Sequence, residues 1–391
     1  MRVILVSNTT PPDKVGGLGR YARELAGALA RRGCDVTMLV KRVDPGSLRR
    51  ERAPDGVKLI RHNVLSKRNP LFAPTYPFMT ARGVLGPIRK LVDAGTMIHA
   101  HFPVTAIPIA LAGRPFVYTF HAPVWEELID ERQGSYVLPG AIQGASVTGV
   151  RVAERYVVNH ATDVFVLSDF MRERLSEISP RAADRAIVLP GGVDTTHFAP
   201  QTAVARAPLS APRLFTARRL TPRTGVDVLI NALPAILVRH PGTTLAIAGT
   251  GEMESQLRSL AASLGIAGHI TFLGRVSDEE LVAQYCQATL VVTPTTKLEG
   301  FGLSTAEALA CGTPVVGTAV GATPEILQPL SERLIAPYAT PESLAVTISE
   351  LLDDPKRLAR IARAARERVA PVMDWEMIAA RYFEVYSRNL S

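Results

Sequence analysis

Short apolar runs alternate along this chain with longer stretches in which apolar positions recur at helical spacing. In the first half the runs are Arg2 to Ser7, Asp35 to Val40, Val57 to Arg61, Thr96 to Ala100, Pro115 to Phe120, Asp163 to Leu167 and Arg185 to Leu189. Each reads as a strand, and intervening segments such as Leu18 to Arg31 read as helices. A second set follows: Arg213 to Ala217, Thr243 to Ala248, Ile270 to Leu273, Thr289 to Val292 and Pro314 to Gly317. A parallel strand pair needs a long crossover, usually a helix, so this alternation predicts two parallel sheets in an α/β fold. Between the sets, Ala199 to Pro212 shows neither period and carries Pro, Ala and Ser, which marks it as the linker and hinge. The predicted domains are therefore residues 1–198 and 199–371, with a final helix near Asp374 to Arg388 after a break at Pro371.

Composition agrees with this division. A chain of 391 residues is long for one core and suits two α/β domains of about 200 residues each. Its 47% apolar and 20% charged content excludes a disordered chain. Cys34, Cys286 and Cys311 are few and lack C-x-x-C spacing, which points to a reduced setting rather than disulfides or zinc. The amino terminus enters a strand at once, and no apolar run approaches the roughly 18 residues of a span, so a cytoplasmic protein is expected.

Charge is uneven. Met1 to Phe198 holds 26 Lys and Arg against 18 Asp and Glu, whereas the remainder has 18 of each. Basic residues gather at Lys41, Arg42, Arg49, Arg50, Arg52, Lys58, Arg61, Lys67 and Arg68, ahead of a Pro-, Phe- and Tyr-rich run from Pro70 to Phe78. The plain reading is an arginine-rich solvated surface. The functional one is peripheral contact with an anionic membrane, at the inner face, or with an acidic acceptor. No zinc-finger, RNP or heptad signature accompanies the charge, which argues against nucleic acid.

The richest segment chemically is Lys297-Leu298-Glu299-Gly300-Phe301-Gly302-Leu303-Ser304-Thr305-Ala306-Glu307. A strand precedes it, and Leu303, Ala306, Leu309 and Ala310 recur at helical spacing after it, so the chain turns from strand into helix here. Gly300 and Gly302 permit a tight path and close approach. The first amides of a helix have no partner within it, so the backbone from Gly300 through Phe301, Gly302, Leu303 and Ser304 reads as a phosphate cradle. Carboxylates repel phosphate. Glu299 and Glu307, in E-x7-E spacing, are suited instead to hydroxyls of a sugar or ribose, unless they are ordinary solvated glutamates.

Other candidates sit where predicted strands end. After the first strand, Gly16 and Gly17 open a loop whose amides suit a diphosphate. The run Gly17-Leu18-Gly19-Arg20-Tyr21-Ala22 also matches G-x-G-x-x-A. That dinucleotide fingerprint follows its strand directly and needs an acid after the second strand; here a long loop intervenes and the second strand ends in Lys41-Arg42, so NAD(P) binding is rejected. His121 closes a strand and opens a loop with Trp125 and Glu126, and His101 closes another; His101, Trp125 and Glu126 are acceptor candidates. No D-x-D sequence and no His/Cys cluster with ligand spacing occurs, so no metal is expected.

The Glu299–Glu307 segment resembles the donor-site motif of retaining GT-B glycosyltransferases of family 4 type. The resemblance spans nearly the whole chain, from Gly16-Gly17-Leu18 through Phe215 to Gly225, Gly249-Thr250-Gly251 and Phe272 to Val276, to Val320-Gly321-Ala322-Thr323-Pro324-Glu325. It implies two facing Rossmann-like domains with an interdomain cleft, the last helix (about 372–391) crossing back to the first domain. It implies a nucleotide-sugar donor as co-substrate without a further cofactor, a hydroxyl acceptor, and transfer with retention. By this likeness Glu299 holds the sugar, Glu307 the ribose, and His121 lies near the transferred sugar. The family's diphosphate clamp, an Arg followed five residues later by a Lys, falls on Arg219 and Thr224; Thr224 departs from the pattern, and Arg218 or Arg223 is expected to compensate. Gly249 stands beside the nucleotide, and the backbone at Arg275 and Val276 reads the base. A GT-B phosphorylase or epimerase and a catalytically silent sugar-nucleotide or lipid-binding module are the alternatives.

Overall fold

A computed structural model of the chain describes residues 1–11, 16–44, 46–65, 69, 71–126 and 140–390. The chain forms two compact units: Met1–Gly192 with Trp375–Ser391, and Val193–Asp374. They part upstream of the Ala199 to Pro212 stretch. That stretch is irregular but tied to the second unit, because Arg206 donates to the carbonyl of Gly312 at 2.9 Å and the Ala207 amide to that of Gln287 at 2.9 Å.

The first unit is built on an eight-stranded sheet in the order β3-β4-β2-β1-β5-β6-β7-β8. Its strands are β1 (Arg2–Val6), β2 (Asp35–Lys41), β3 (Arg50–Arg52), β4 (Lys58–His62), β5 (Thr96–Ala100), β6 (Val117–Phe120), β7 (Val164–Val166) and β8 (Ile187–Val188). All pairs are parallel except β3 with β4. Val3, Ile4, Leu5 and Val6 are fully buried, as an unbroken apolar run in a sheet covered on both faces should be. The sequence reading omits β3, because Arg-Glu-Arg carries no apolar pattern; the strand is an exposed, charged edge held by backbone pairing.

The helix Gly17–Arg31 turns Tyr21, Ala22, Leu25, Ala28 and Leu29 into the core. Beside it lies the last helix, Trp375–Leu390, whose Tyr382 hydroxyl is 2.8 Å from that of Tyr21. Trp375 covers Gly192, where a Cβ would stand 2.3 Å from the indole. The expected break at Pro371 lies elsewhere. The helix Pro355–Met373 runs through Pro371 and ends at Asp374, which is extended and whose carboxylate accepts from the Thr195 hydroxyl.

The second unit has six parallel strands ordered β11-β10-β9-β12-β13-β14. They are β9 (Arg213–Ala217), β10 (Thr244–Ala248), β11 (Ile270–Gly274), β12 (Leu290–Thr293), β13 (Val315–Thr318) and β14 (Ile335–Ala336). Strand order reverses between β1 and β5 in one sheet and between β9 and β12 in the other. In open α/β sheets, ligand sites form beyond the carboxyl ends of strands at such reversals. No helix among the described residues is long and apolar enough to cross a membrane.

Candidate functional site

Beyond the carboxyl ends of β9 and β12, the second unit assembles a charged cluster. Arg218 directly follows β9, and Glu299 lies on the loop after β12. The Arg218 guanidinium donates to Glu299 Oε2 at 2.7 Å, to the Thr295 hydroxyl at 2.8 Å and to the Ser304 hydroxyl at 3.3 Å. The Thr295 hydroxyl lies 3.2 Å from the same carboxylate oxygen. Burial pushes the Glu299 carboxyl up, but the charge and hydrogen bond of Arg218, with the charge of Arg223 and the Thr295 hydroxyl, outweigh it and hold the group below the usual carboxylate range. Glu299 is therefore an anion held in one orientation.

The backbone explains that orientation. Leu298 has φ +48°, the one non-glycine residue with positive φ among those described, and Arg223 donates to its carbonyl at 3.1 Å. The Glu299 carbonyl accepts from the Ala322 amide at 2.9 Å, and a Cβ on Gly321 would stand 2.3 Å from that oxygen. Gly302 caps the helix Leu303–Ala310 with φ +92°, so the chain reaches the helix through a left-handed turn that a glycine adopts without steric cost. Phe301 is buried, while Leu303 and Ser304 are half-buried at the helix start.

Neighbouring turns are equally constrained. Gly249, at the end of β10, has φ +131° and passes so near the Arg218 carbonyl that a Cβ would sit 1.8 Å from it. Arg275 is exposed and Val276 half-buried just past β11.

Arg219, Thr224 and Glu307 each take a distinct place. The Arg219 side chain is exposed, and it is Arg218 that meets the Glu299 loop. The Thr224 hydroxyl, buried, faces the carbonyls of Arg219 and Thr221, each at 2.7 Å, so Thr224 holds the turn containing Arg223 and offers no charge. Glu307 is 5% exposed and accepts from the Tyr285 hydroxyl at 2.9 Å. Its carboxylate is turned into the unit from just beyond the first helical turn. Tyr285 and Thr295 carry no motif signal, since each becomes relevant only through a residue distant in sequence.

In the first unit, β5 and β6 bring histidines together. His101 Nδ1 is 3.1 Å from His121 Nε2, and the His99 and His101 rings lie with centroids 4.0 Å apart. Burial with the nearby His121 keeps His99 neutral, burial with both neighbours keeps His101 neutral, and burial lowers His121 to about 3. The His101 ring is 1% exposed, so it meets His121 rather than solvent. The edge of Tyr21 packs on His121 with centroids 4.9 Å apart. Trp125 is half-buried under the Arg151 guanidinium, 5.0 Å from the ring centre, and Glu126 pairs with Arg174.

Gly16 and Gly17 begin the Gly17–Arg31 helix, with Gly17 exposed and nothing near its missing Cβ. Gly19 is the tight position, since a Cβ there would lie 2.9 Å from the Thr9 carbonyl. The loop residues between Pro11 and Gly16, and most of the stretch after Glu126, lie outside the described residues. So do Lys67 and Arg68. Within the basic run, Lys58 pairs with Asp35 at 2.7 Å and buried Arg61 with Glu51 at 2.7 Å, whereas Arg49, Arg50 and Arg52 are exposed. Leu71 caps the helix Phe72–Leu91, and Phe78, 77% exposed, lies in its second turn.

Comparison with known proteins gives a consistent family. Residues 201–368 match the glycosyl transferases group 1 family, and residues 16–192 match the glycosyl transferase 4-like domain. The chain is 30% identical to a glycogen synthase of Mycobacterium tuberculosis, covering 99% of this chain and 94% of the relative. It is also 30% identical to a GDP-mannose-dependent alpha-(1-6)-phosphatidylinositol monomannoside mannosyltransferase of Mycolicibacterium smegmatis, covering 98% of each. Among solved structures, sucrose-phosphate synthase from Thermosynechococcus elongatus superposes with a TM-score of 0.82 at 23% identity over 99% of each chain. Anabaena Alr3699/HepE, in complex with UDP and glucose, does so with 0.75 at 21% identity, over 98% of this chain and 99% of that one. The chain is a transferase with the GT-B fold. It belongs to the group 1 glycosyl transferases, the family 4 type.

Proposed function

We propose that the protein moves a sugar from a nucleoside diphosphate sugar to a hydroxyl acceptor, with retention at the anomeric carbon and without a metal ion. The observation that carries this reading is the Arg218–Glu299 pair, set beside a glycine-turned helix start at the strand-order reversal of the second sheet. Glu299 is charged and fixed, which suits it to accept hydrogen bonds from sugar hydroxyls. Its carboxylate has no role as an attacking group in this scheme. Amides at Leu303 and Ser304, with Arg218, Arg219 and Arg223 as cations, would neutralise charge building on the departing diphosphate. Diphosphate leaves readily, so no general acid is required. In same-face attack its oxygen would also take the acceptor's proton. Neutral His121 would stabilise positive charge at the anomeric carbon through its ring or its carbonyl.

The domain limits 1–198 and 199–371, the ribose role of Glu307, diphosphate contact at Gly16 and Gly17, base contact at Arg275 and Val276, and acceptor contact at Trp125 and Glu126 belong to the same proposal. The acceptor is a glycan, a lipid-linked glycan or a secondary-metabolite aglycone; the relatives' names, a glycogen synthase and a phosphatidylinositol monomannoside mannosyltransferase, support the first two. A cytoplasmic location belongs to the same proposal, and exposed Arg49, Arg50 and Arg52 with Phe78 support its peripheral extension, work at an anionic membrane face. A second reading rests on Thr224. With its hydroxyl committed to backbone carbonyls, one family cation is absent, as in a module that binds donor without turnover.

The test is to measure nucleoside diphosphate release from UDP-, GDP-, ADP- and TDP-sugars with candidate acceptors, in chelator, and to read product configuration by proton NMR. Release with an α-product from an α-donor is expected. Calorimetric binding without release for every acceptor would establish the silent module, and an inverted product would overturn the mechanism.

A further inference from the structure

The surroundings of His121 fix more than its charge. His101 stands behind it with Nδ1 3.1 Å from His121 Nε2, while the other nitrogen of His101, Nε2, is sealed from solvent and meets no described partner. His101 cannot turn away. Its ring lies against that of His99, and both nitrogens of His99 are engaged, Nδ1 with the Tyr386 hydroxyl at 2.6 Å and Nε2 with the Thr119 hydroxyl at 2.7 Å. Thr119 in turn lies 3.1 Å from the Tyr382 hydroxyl, so the last helix anchors the whole stack through two tyrosines. All three histidines are neutral: burial alone holds His121 so, and burial together with neighbouring histidines holds His99 and His101 so.

Two neutral imidazoles joined by one hydrogen bond have one proton between them, and each ring carries one N–H and one lone pair. If His121 were the donor, His101 would carry its proton on Nε2, leaving an orphaned N–H in the core. If His101 is the donor, the orphan is a lone pair. Unpaired buried donors are the rarer of the two in folded proteins. The second arrangement also dictates the far side of the next ring: with Nε2 of His121 accepting, its proton must sit on Nδ1, which no described residue engages on a ring that is only half-buried.

We propose that His101 is a positioning residue that donates Nδ1–H to Nε2 of His121 and so holds His121 in the neutral tautomer with its proton on Nδ1. With Nε2 engaged and Nδ1 protonated, the His121 ring then keeps one N–H as a hydrogen-bond donor and has no capacity to act as a base. Only the turnover readout below rests on the proposed transfer reaction. The tautomer itself does not.

The experiment uses the full chain with ¹³C,¹⁵N-labelled histidine. In the wild type the His121 ring resonances should report a proton on Nδ1 and a lone pair on Nε2. His101→Leu should move His121 toward the other tautomer and lower kcat on the order of 100-fold, the scale of a misplaced reacting geometry, with KM for the nucleotide sugar within a few-fold of wild type. His101→Asn, whose side-chain amide can stand where Nδ1 stood, should restore the wild-type His121 resonances and most of the lost kcat. A wild-type His121 protonated on Nε2 would overturn the proposal even if every variant failed to fold. An unchanged kcat in a folded His101→Leu protein would refute the positioning role. An intact Nδ1–H signature in a protein inactive with every donor would instead strike the reaction assigned above and leave the tautomer standing.

Discussion

Arg218 and Glu299 lie 81 residues apart in the chain and meet across 2.7 Å, because β9 and β12 are neighbours in the sheet and each sends its following loop to the same edge. The pair is partly buried and shares Thr295 as a third member, so its parts should act as a unit.

Glu299→Gln keeps the side chain's shape and removes its charge. Turnover should fall on the order of 100-fold through misplacement of the sugar, with the thermal midpoint little changed. Arg218→Ala should be as damaging, since it strips the carboxylate of its main counter-charge. Release assays on the two single variants and the double variant should give losses well short of additive; full additivity would mean that the pair is incidental.

Tyr285→Phe removes one donor from the buried carboxylate of Glu307. The expected cost is about 1–3 kcal/mol, that of an under-satisfied buried polar group. Denaturant unfolding would read it, and an unchanged midpoint would show that other partners suffice for Glu307.

Gly321→Ala places a methyl group 2.3 Å from the Glu299 carbonyl at a residue with φ +61°. The left-handed strain alone costs on the order of 1–3 kcal/mol, and the contact forces the Glu299 loop to move. Activity should be lost while far-UV circular dichroism stays close to wild type. A fully active variant would show that the loop's position is not limiting.

Acid should destabilise the first unit before its carboxylates protonate. Burial, with the Lys41 charge nearby, lowers His62 from 6.5 to about 4, and burial lowers His121 from 6.5 to about 3. Both are neutral in the fold, whereas the unfolded chain takes up protons near 6.5, so the unfolded state binds more protons below that pH. Stability is thus fully present above about 6.5, declines as pH falls below that value, and levels off near 4 for His62 and near 3 for His121, with His62 alone contributing on the order of 3 kcal/mol. Unfolding curves from pH 7 to 4 should show the decline, and His62→Phe should make it shallower while the part due to the buried His99, His101 and His121 remains. A flat wild-type profile would mean that these histidines charge freely in the folded state.

The sequence by itself determined the alternation of strands and helices, the parallel sheets and the family, because a buried parallel strand must be an apolar run and a crossover helix must carry a stripe. Gly302 was legible from the strand-to-helix turn it permits, whereas Gly249 was singled out only by the family resemblance. Tertiary structure alone decided which of two adjacent arginines meets Glu299, since Arg218 and Arg219 differ only in the direction a strand end gives them. It likewise turned Glu307 inward to Tyr285, committed Thr224 to the backbone, and set His101 behind His121 under two tyrosines from the far end of the chain. Those outcomes depend on partners distant in sequence, and side-chain direction at a strand's end is fixed only when the neighbouring strand has been laid beside it.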